Sequence, residues 1–365
     1  LSRWPSGQLH RQQKDSRLAQ MVERFQDTWK IQKLLAEGRF SHIYEITHKS
    51  SERVEIAKRL STRQRACRQP AQMEVQIWRY IGRHRNIVQL YEVYEAQGAM
   101  FLVMEKCECH LLSRLANGFR MREVAPLFQQ MLSGVAHLHS LNVVHRDVKL
   151  DNFLCHGTHL KCIKLCDFGL AIKLSLGNDL NGVYGTPPYM SPEMLTKSYN
   201  AKTDIWSLGV GCFFVLSGGS FPYEPKESTD VSAVAMRKAI VEGSQVTDFD
   251  VAKHITLEAK QFAITLLDRN SRSRLTAEEA LQQPFLSLGD CTDKSPKDSV
   301  HSTIGATLSE QNITRESKSS SSSGFESVLG DNVSIATPTN NFCEKQRVSF
   351  RSASGRSLAP VLFDL

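Results

Sequence analysis

The chain has 365 residues, of which 41% are hydrophobic and 23% are charged, a balance typical of globular domains with a sizeable core. Its net charge of +7 comes from scattered Lys and Arg rather than from one basic stripe, so we expect no nucleic-acid partner. No apolar run reaches the roughly 20 residues of a membrane span, so we expect no membrane association. The nine cysteines lack a disulfide-like framework, which favours a reducing cytoplasmic location, with the nucleus as an alternative.

Residues 1–28 are polar and are interpreted as an N-terminal extension without the apolar core of a signal peptide. From Trp29 onward, short apolar segments alternate with turn residues, a pattern typical of an antiparallel sheet. Strands are predicted at residues 29–35, 43–46, 54–58, 86–94 and 100–105. Helical periodicity over residues 71–81 places Glu74 and Trp78 one turn apart on the same face.

Beyond residue 106 the pattern becomes mainly helical. Apolar residues at helical spacing predict a helix from Glu123 to Leu141, in which His137 and His139 are interpreted as bystanders. From residue 287 onward Ser, Thr, Asn and Lys dominate. Such a composition cannot bury enough apolar surface to offset the entropy of ordering, so residues 287–365 are predicted to be a disordered tail.

Two cysteines and two histidines lie close together within residues 155–162 and could in principle bind zinc. These residues are Cys155, His156, His159 and Cys162. A β-hairpin is the better interpretation, because alternation along its strands sends neighbouring side chains to opposite faces.

The greatest concentration of chemically useful side chains follows the long predicted helix, at residues 144–154. Asp147 can accept a proton from a substrate hydroxyl, and Lys149 can neutralise phosphoryl oxygens. Asn152 offers a neutral oxygen that suits a hard cation such as magnesium. Asp167 supplies a second carboxylate and is followed directly by Phe168 and Gly169.

These motifs, in this order and spacing, resemble the eukaryotic protein kinase family, whose signature is a catalytic H-R-D-L-x-x-x-N loop followed by D-F-G. The resemblance covers residues 29–286. It implies a bilobal α+β fold, with an antiparallel five-stranded N-lobe and its C-helix at residues 29–105 and a mainly helical C-lobe at residues 106–286. Lys149 and Thr186 resemble the serine/threonine branch, and the motifs are most similar to those of calmodulin-dependent-kinase-like enzymes.

The resemblance also implies a role for each matching residue. The catalytic set would be Asp147, Lys149, Asn152, Asp167 and Thr186, with Asn152 and Asp167 holding Mg²⁺ and Asp147 deprotonating the substrate hydroxyl. The ATP-binding set would be Ala36, Gly38, Ile43, Ala57, Lys58, Glu74, Met104, Glu105, Cys107 and Leu154. Within this second set, Lys58 would pair with Glu74. The side chains of Ile43, Ala57 and Leu154 would form the walls of the adenine pocket, and Met104 would limit access to it. Residues 105–107 would form the hinge.

Two further contacts follow from the resemblance. Trp78, Leu90, His145 and Phe168 are predicted to stack as the regulatory spine. Glu193 is predicted to form a buried ion pair with Arg274.

Two segments lack glycine or hydroxyl residues that the family pattern has. The glycine-rich loop keeps only Gly38, because Ala36 and Ser41 replace the other two glycines and reduce backbone freedom. The usual phosphate acceptor, three residues before Gly185, is here Gly182, which has no hydroxyl. We therefore predict activity without phosphorylation of this segment, with Asp179 as a fixed charge for Arg146.

The leading interpretation is a monomeric, active serine/threonine protein kinase that acts on protein substrates. The depleted glycine loop keeps open a pseudokinase scaffold that binds partners, and nucleotide as well, without efficient catalysis. A metabolic small-molecule kinase is disfavoured by the complete segment from Gly185 to Glu193. In the tail, Arg347-Val348-Ser349-Phe350 resembles the docking motif read by protein phosphatase-1, with Val348 and Phe350 on one side of an extended strand.

Overall fold

The computed structural model describes residues 25–38, 41–96, 98–116, 118–157, 160–175, 179–196, 198–225, 232–243 and 255–287. Residues 1–24 of the predicted N-terminal extension and nearly all of the predicted tail, including Arg347–Phe350, lie outside these ranges, as does His159. None of the helices in the described ranges is long and apolar enough to cross a membrane.

The N-terminal part of the described chain is a five-stranded antiparallel sheet with the strand order β1-β2-β3-β5-β4. Its elements are β1 (Trp29–Glu37), β2 (Ser41–His48), β3 (Val54–Ser61), α1 (Arg65–Ile81), β4 (Leu90–Ala96) and β5 (Ala99–Met104). The predicted strand at residues 86–94 begins only at Leu90. Residues 86–89 instead form a loop that is bonded to the second lobe, since Asn86 Nδ2 donates to the carbonyl of Ile163 at 2.8 Å.

The two faces of this sheet are covered differently. The face toward α1 belongs to the main core, which includes Ile56 and Trp78. The opposite face carries a separate buried cluster formed by Phe25, Trp29, Ile46, Ala57 and Val103. The ring of Phe25 stacks on Phe101 with centroids 4.3 Å apart, so the last residues of the predicted extension pack onto the sheet.

The second lobe is mainly helical, with short strands around the catalytic loop. Its elements are β6 (Cys109–His110), α2 (Leu111–Ala116), α3 (Val124–Ser140), β7 (Val143–Val144), β8 (Phe153–Cys155), β9 (Ile163–Leu165), β10 (Ile172–Lys173), α4 (Pro192–Leu195), α5 (Lys202–Leu216), α6 (Ala233–Glu242), α7 (Leu257–Leu266), α8 (Ala277–Leu281) and α9 (Pro284–Ser287). Strands β8 and β9 pair in antiparallel fashion, which confirms the predicted hairpin. Every residue of α5 from Thr203 to Leu216 is buried, as expected for a helix that is apolar on all sides.

Four of these helices begin at hydroxyl residues. The side chains of Ser191, Ser232, Thr256 and Thr276 accept backbone N–H groups at the start of α4, α6, α7 and α8. A side-chain oxygen at this position satisfies a backbone donor that the helix itself leaves unpaired. The sequence therefore fixes where these helices start.

Candidate active site

The two lobes meet at a lysine placed between two carboxylates. Lys58 on β3 lies with its Nζ 2.7 Å from Glu74 Oε1 on α1 and 2.9 Å from Asp167 Oδ1. Burial opposes protonation of the ammonium, but the charges of Asp167 and Glu74 outweigh burial and raise the pKa of Lys58 above its ordinary value. Lys58 is therefore a fixed positive charge in the cleft, and the predicted Lys58–Glu74 pair is confirmed.

Four of the predicted catalytic side chains form one hydrogen-bonded group around Asp147. Its Oδ1 accepts the backbone N–H of Thr186 at 2.9 Å and the Thr186 hydroxyl at 2.8 Å. Its Oδ2 lies 3.1 Å from Lys149 Nζ and 3.2 Å from Asn152 Nδ2. Lys149 also donates to Thr186 Oγ1 at 2.8 Å. The carboxylate of Asp147 is thus held in one orientation from three sides.

Asn152 and Asp167 lie next to each other, because the backbone N–H of Cys166 donates to the carbonyl of Asn152 at 2.9 Å. The amide nitrogen of Asn152 donates to the carbonyl of Asp147 at 2.8 Å, so its amide oxygen is the group that remains for a cation. One amide oxygen and one carboxylate are the ligand types that Mg²⁺ prefers. The residues present therefore fit the predicted metal.

A buried carboxylate on α5 fixes the backbone of the catalytic loop. Asp204 accepts the N–H of His145 through Oδ2 and the N–H of Arg146 through Oδ1, each at 2.9 Å. His139 Nε2 lies 3.0 Å from the same Oδ2. Burial opposes the charge of this carboxylate, but the bond to His139 and the backbone bond from His145 hold the pKa of Asp204 below its ordinary value.

The interpretation as a bystander is therefore wrong for His139, whereas for His137 it stays a prediction. His139 contacts Asp204, and His137 Nε2 lies 2.9 Å from the carbonyl of Ile81 while its ring stacks on His84. The helical pattern of α3 shows which side chains face inward, but it carries no information about the opposing elements that they meet.

We expect Asp204→Asn to destabilise the protein by about 1–3 kcal/mol at pH 7, because one buried backbone N–H would then face an amide donor. A lowered pKa means that the carboxylate stabilises the fold above pH 3.8 and loses this effect as the pH falls through the folded-state pKa. The difference in free energy of unfolding between parent and variant should hold at neutral pH and shrink below pH 3.8. Denaturant titrations at several pH values measure it, with the exposed Asp151→Asn as the control, and a difference that grows on acidification would contradict the assignment.

The predicted regulatory spine is present as a stack of buried rings. The Phe168 ring lies with its centroid 5.2 Å from that of Trp78 and 5.5 Å from that of His145, and Leu90 belongs to the same core. Trp78 Nε1 donates to the carbonyl of Val88 at 2.9 Å. This bond satisfies the polar edge of a buried indole and connects α1 to the loop that follows it.

One predicted wall of the adenine pocket is wrong. Side chains alternate along β3, so Ala57 faces away from Lys58 and lies in the cluster with Phe25 and Trp29 on the opposite face. Ile56 shares the pocket side with Lys58 and pairs across the sheet with Met104. Ile43, Met104 and Leu154 lie on the core side as predicted, and Ile56 is the wall residue that the sequence analysis missed.

Residues of the sheet and of the second lobe form an ion pair and hydrogen bonds with the hinge residues Glu105 and Lys106. Glu105 pairs with Lys164 Nζ at 3.1 Å, and its Oε2 accepts the backbone N–H of Gln89 at 3.1 Å. The N–H of Lys106 donates to Glu55 Oε2 at 3.1 Å. The N–H of Glu105 donates to the carbonyl of Gln89 at 2.9 Å. Its side chain and N–H are thus both occupied, which leaves its backbone carbonyl for a ligand.

The glycine-loop residues occupy the end of β1 and the turn that follows. Ala36 pairs with Ile43 within the β1–β2 ladder, directly after a register shift between Leu34 and Ala36. The N–H of Gly38 donates to the carbonyl of Ser41 at 2.7 Å. Residues 39 and 40 lie outside the described ranges.

The segment after Asp167 is anchored at Glu193 by an ion pair. Glu193 Oε2 accepts from Arg274 Nη2 at 3.0 Å, which confirms the predicted pair. The prediction that Asp179 supplies a fixed charge for Arg146 is wrong, because no ion pair joins these two described residues, and the Asp179 carboxylate accepts from Ser198 Oγ at 3.1 Å.

Comparisons with known proteins agree with this fold. The family model for the protein kinase domain matches residues 29–286. Calcium-dependent protein kinase 4 of Arabidopsis thaliana is 32% identical over 283 residues, which cover 76% of this chain and 55% of that protein. Serine/threonine-protein kinase H1 of Homo sapiens is 33% identical over 264 residues, which cover 70% of this chain and 60% of that protein. Among solved structures, the autoinhibited serine kinase domain of the giant muscle protein titin matches with a TM-score of 0.64 and 26% identity, covering 72% of this chain and 81% of that one.

The chain belongs to the protein kinase domain family. The predicted resemblance to the serine/threonine branch, including calmodulin-dependent-kinase-like enzymes, and the predicted bilobal fold are thereby confirmed. The chain spans 55% and 60% of the lengths of these two curated relatives.

Proposed function

We propose that this chain is a serine/threonine protein kinase that transfers the γ-phosphate of ATP to hydroxyl groups of protein substrates. The observation that carries the proposal is the complete charged arrangement at the cleft. Lys58 bridges Glu74 and Asp167, and the Asp147 carboxylate is held beside Lys149. Nothing in the comparisons favours the pseudokinase alternative.

In this mechanism the chain positions the reactants and stabilises charge. Asp147 orients the substrate hydroxyl and takes its proton, and Lys149 offsets negative charge on the phosphoryl group in transfer. Lys58, fixed by Glu74, contacts the nucleotide phosphates. Asn152 and Asp167 would hold Mg²⁺, which when bound neutralises phosphate charge.

The Lys149–Thr186 bond supports serine and threonine as acceptors. It joins the catalytic loop to the segment that runs from Gly185 to Glu193, at a distance of 2.8 Å. This bond shapes the place where an aliphatic hydroxyl would meet Asp147. Adenine would lie between Ile43, Ile56 and Leu154, with Met104 at the back of the pocket.

The test is an in vitro phosphorylation assay with Mg-ATP, a generic protein substrate and a peptide library. We expect phosphate on serine and threonine residues of the substrate. Nucleotide binding without transfer to any library member would support the pseudokinase alternative instead.

We expect Asp167→Asn to remove the effect of magnesium on nucleotide binding, because the variant loses the carboxylate ligand and half of the charge that surrounds Lys58. Thermal shift with ATP, with and without Mg²⁺, measures this effect independently of catalysis. In the parent and in the exposed control Asp151→Asn, Mg²⁺ should raise the melting temperature of the ATP complex further. An Asp167→Asn protein with the same Mg²⁺-dependent rise would contradict the metal assignment.

The remaining expectations stay proposals. We propose a monomer located in the cytoplasm, which is consistent with free thiols at the seven described cysteines. Docking of a phosphatase on Arg347–Phe350 is also proposed, and its support is the sequence motif alone.

A further inference from the structure

The guanidinium of Arg146 is covered by an aromatic ring. Arg146 Cζ lies 4.0 Å from the centroid of the Tyr184 ring, within the range of a cation–π contact. In the described part of the chain, Arg146 forms no ion pair with a carboxylate. The ring of Tyr184 thus meets this charge from the segment after Asp167, together with the carbonyl of Leu170 in the same segment.

Arg146 links three parts of the site. Its backbone N–H donates to Asp204, and its Nε donates to the carbonyl of Leu170 at 2.7 Å. Asp147 is the next residue in the chain. The backbone of Arg146 has a φ of +67°, an uncommon conformation for a residue with a side chain of this size. The position of the guanidinium therefore affects both the catalytic loop and the start of the segment that follows Asp167.

Gly182 makes room for the Tyr184 ring. Gly182 has a φ of +95°, and a Cβ at this position would lie 2.7 Å from Cε2 of Tyr184. Any side chain at residue 182 would therefore push the ring away from its present place. The missing hydroxyl at residue 182 and the stacked ring at residue 184 are two aspects of the same local packing.

The segment on either side of Tyr184 is held by contacts of its own. Leu180 and Tyr199 exchange two backbone hydrogen bonds, at 2.7 and 3.0 Å. Met190, Met194 and Tyr199 form a small buried cluster, against which Leu180 and Val183 pack. These contacts place the ring over Arg146 without the help of a charged group.

We propose that Tyr184 is a positioning residue, which stacks on Arg146 and holds the catalytic loop in register with the segment after Asp167 in the absence of any phosphate. The aromatic face supplies the interaction, so the hydroxyl of Tyr184 is not needed. The effect on catalysis rests on the proposed kinase function, but the effect on local structure does not.

The experiment compares Tyr184→Ala, Tyr184→Phe and Gly182→Ala with the parent. Tyr91→Ala is the matched control, since it removes a tyrosine that Arg53 covers at 5.1 Å on the N-lobe sheet. Two quantities are measured for each protein: the rates of amide hydrogen exchange over residues 170–173 and 180–185, and kcat and KM for ATP. The parent is also assayed after phosphatase treatment.

For Tyr184→Ala we expect faster exchange in both segments and a kcat lower by about tenfold, with KM for ATP nearly unchanged. Gly182→Ala should show the same changes although its tyrosine is intact, whereas Tyr184→Phe and Tyr91→Ala should match the parent. Phosphatase treatment should leave parental kcat unchanged. Parental exchange rates in both Tyr184→Ala and Gly182→Ala, or a parent inactivated by phosphatase, would overturn the proposal. A parent protein without kinase activity would refute only the proposed kinase function. The exchange rates would still test the role of Tyr184 in holding the local structure.

Discussion

Replacing Asp147 with Asn is expected to lower kcat by about 10²–10⁴-fold, the range typical of losing a general base. The substituted amide cannot accept the proton of a substrate hydroxyl. It would also place an N–H₂ group against Lys149 or Asn152, which now donate toward the carboxylate. Nucleotide affinity should change little, because Lys58, Glu74 and the hinge are unaltered. Steady-state kinetics and ATP titration on the same preparation separate the two effects.

Asp151→Asn is the matched control for this substitution. It makes the same chemical change four residues away on an exposed side chain, and we expect its kcat to match that of the parent. If Asp147→Asn turned over as fast as this control, the general base would have to be another group. A loss of ATP binding equal to the loss of kcat would instead mean that the substitution had disturbed the cleft as a whole.

The charged centre of the site could be predicted from the sequence, because each of its members belongs to a motif with fixed spacing. Lys58, Glu74, Asp147 and Asp167 come together as those motifs require. The presence of five strands could be predicted for a related reason, since short apolar segments alternate with turn residues along this part of the chain. The start of strand β4 was predicted four residues too early. The apolar residues at 87 and 88 belong instead to a loop whose backbone forms hydrogen bonds with the second lobe.

The error at Ala57 is of another kind. Alternation along β3 places Ile56, two residues before Lys58, on the pocket side. The sequence contained this information, but assignment by position in the family pattern selects Ala57, one residue further along the chain.

Two contacts could not be predicted from any local pattern. His139 meets Asp204 across 65 residues of sequence, and Tyr184 meets Arg146 from a segment without regular structure. Both depend on which elements face each other in the folded chain. A helical stripe or a turn motif carries no information on that point, and spacing along the chain therefore gives no indication of either pair.

Removing Glu193 is expected to have the largest effect on stability among these substitutions. Arg274 has no exposed surface, and besides Glu193 its guanidinium donates to the carbonyls of Asp268 and Lys202, at 2.8 and 2.9 Å. Glu193→Ala leaves this charge buried without its counter-ion. Breaking a buried ion pair in this way typically costs about 3–5 kcal/mol. Urea denaturation of parent and variant measures the loss directly.

The double substitution Glu193→Leu with Arg274→Met tests whether the loss comes from the uncompensated charge. A pair of apolar side chains carries no charge to desolvate, so the double variant should be more stable than Glu193→Ala, even though it lacks both partners. Lys238→Ala is the control, since it breaks an exposed pair with Glu242 at 3.8 Å and should cost less than about 0.5 kcal/mol. If the double variant were less stable than Glu193→Ala, the bonds from Arg274 to the two carbonyls and its packing over Trp206, at 5.0 Å, would matter more than its charge.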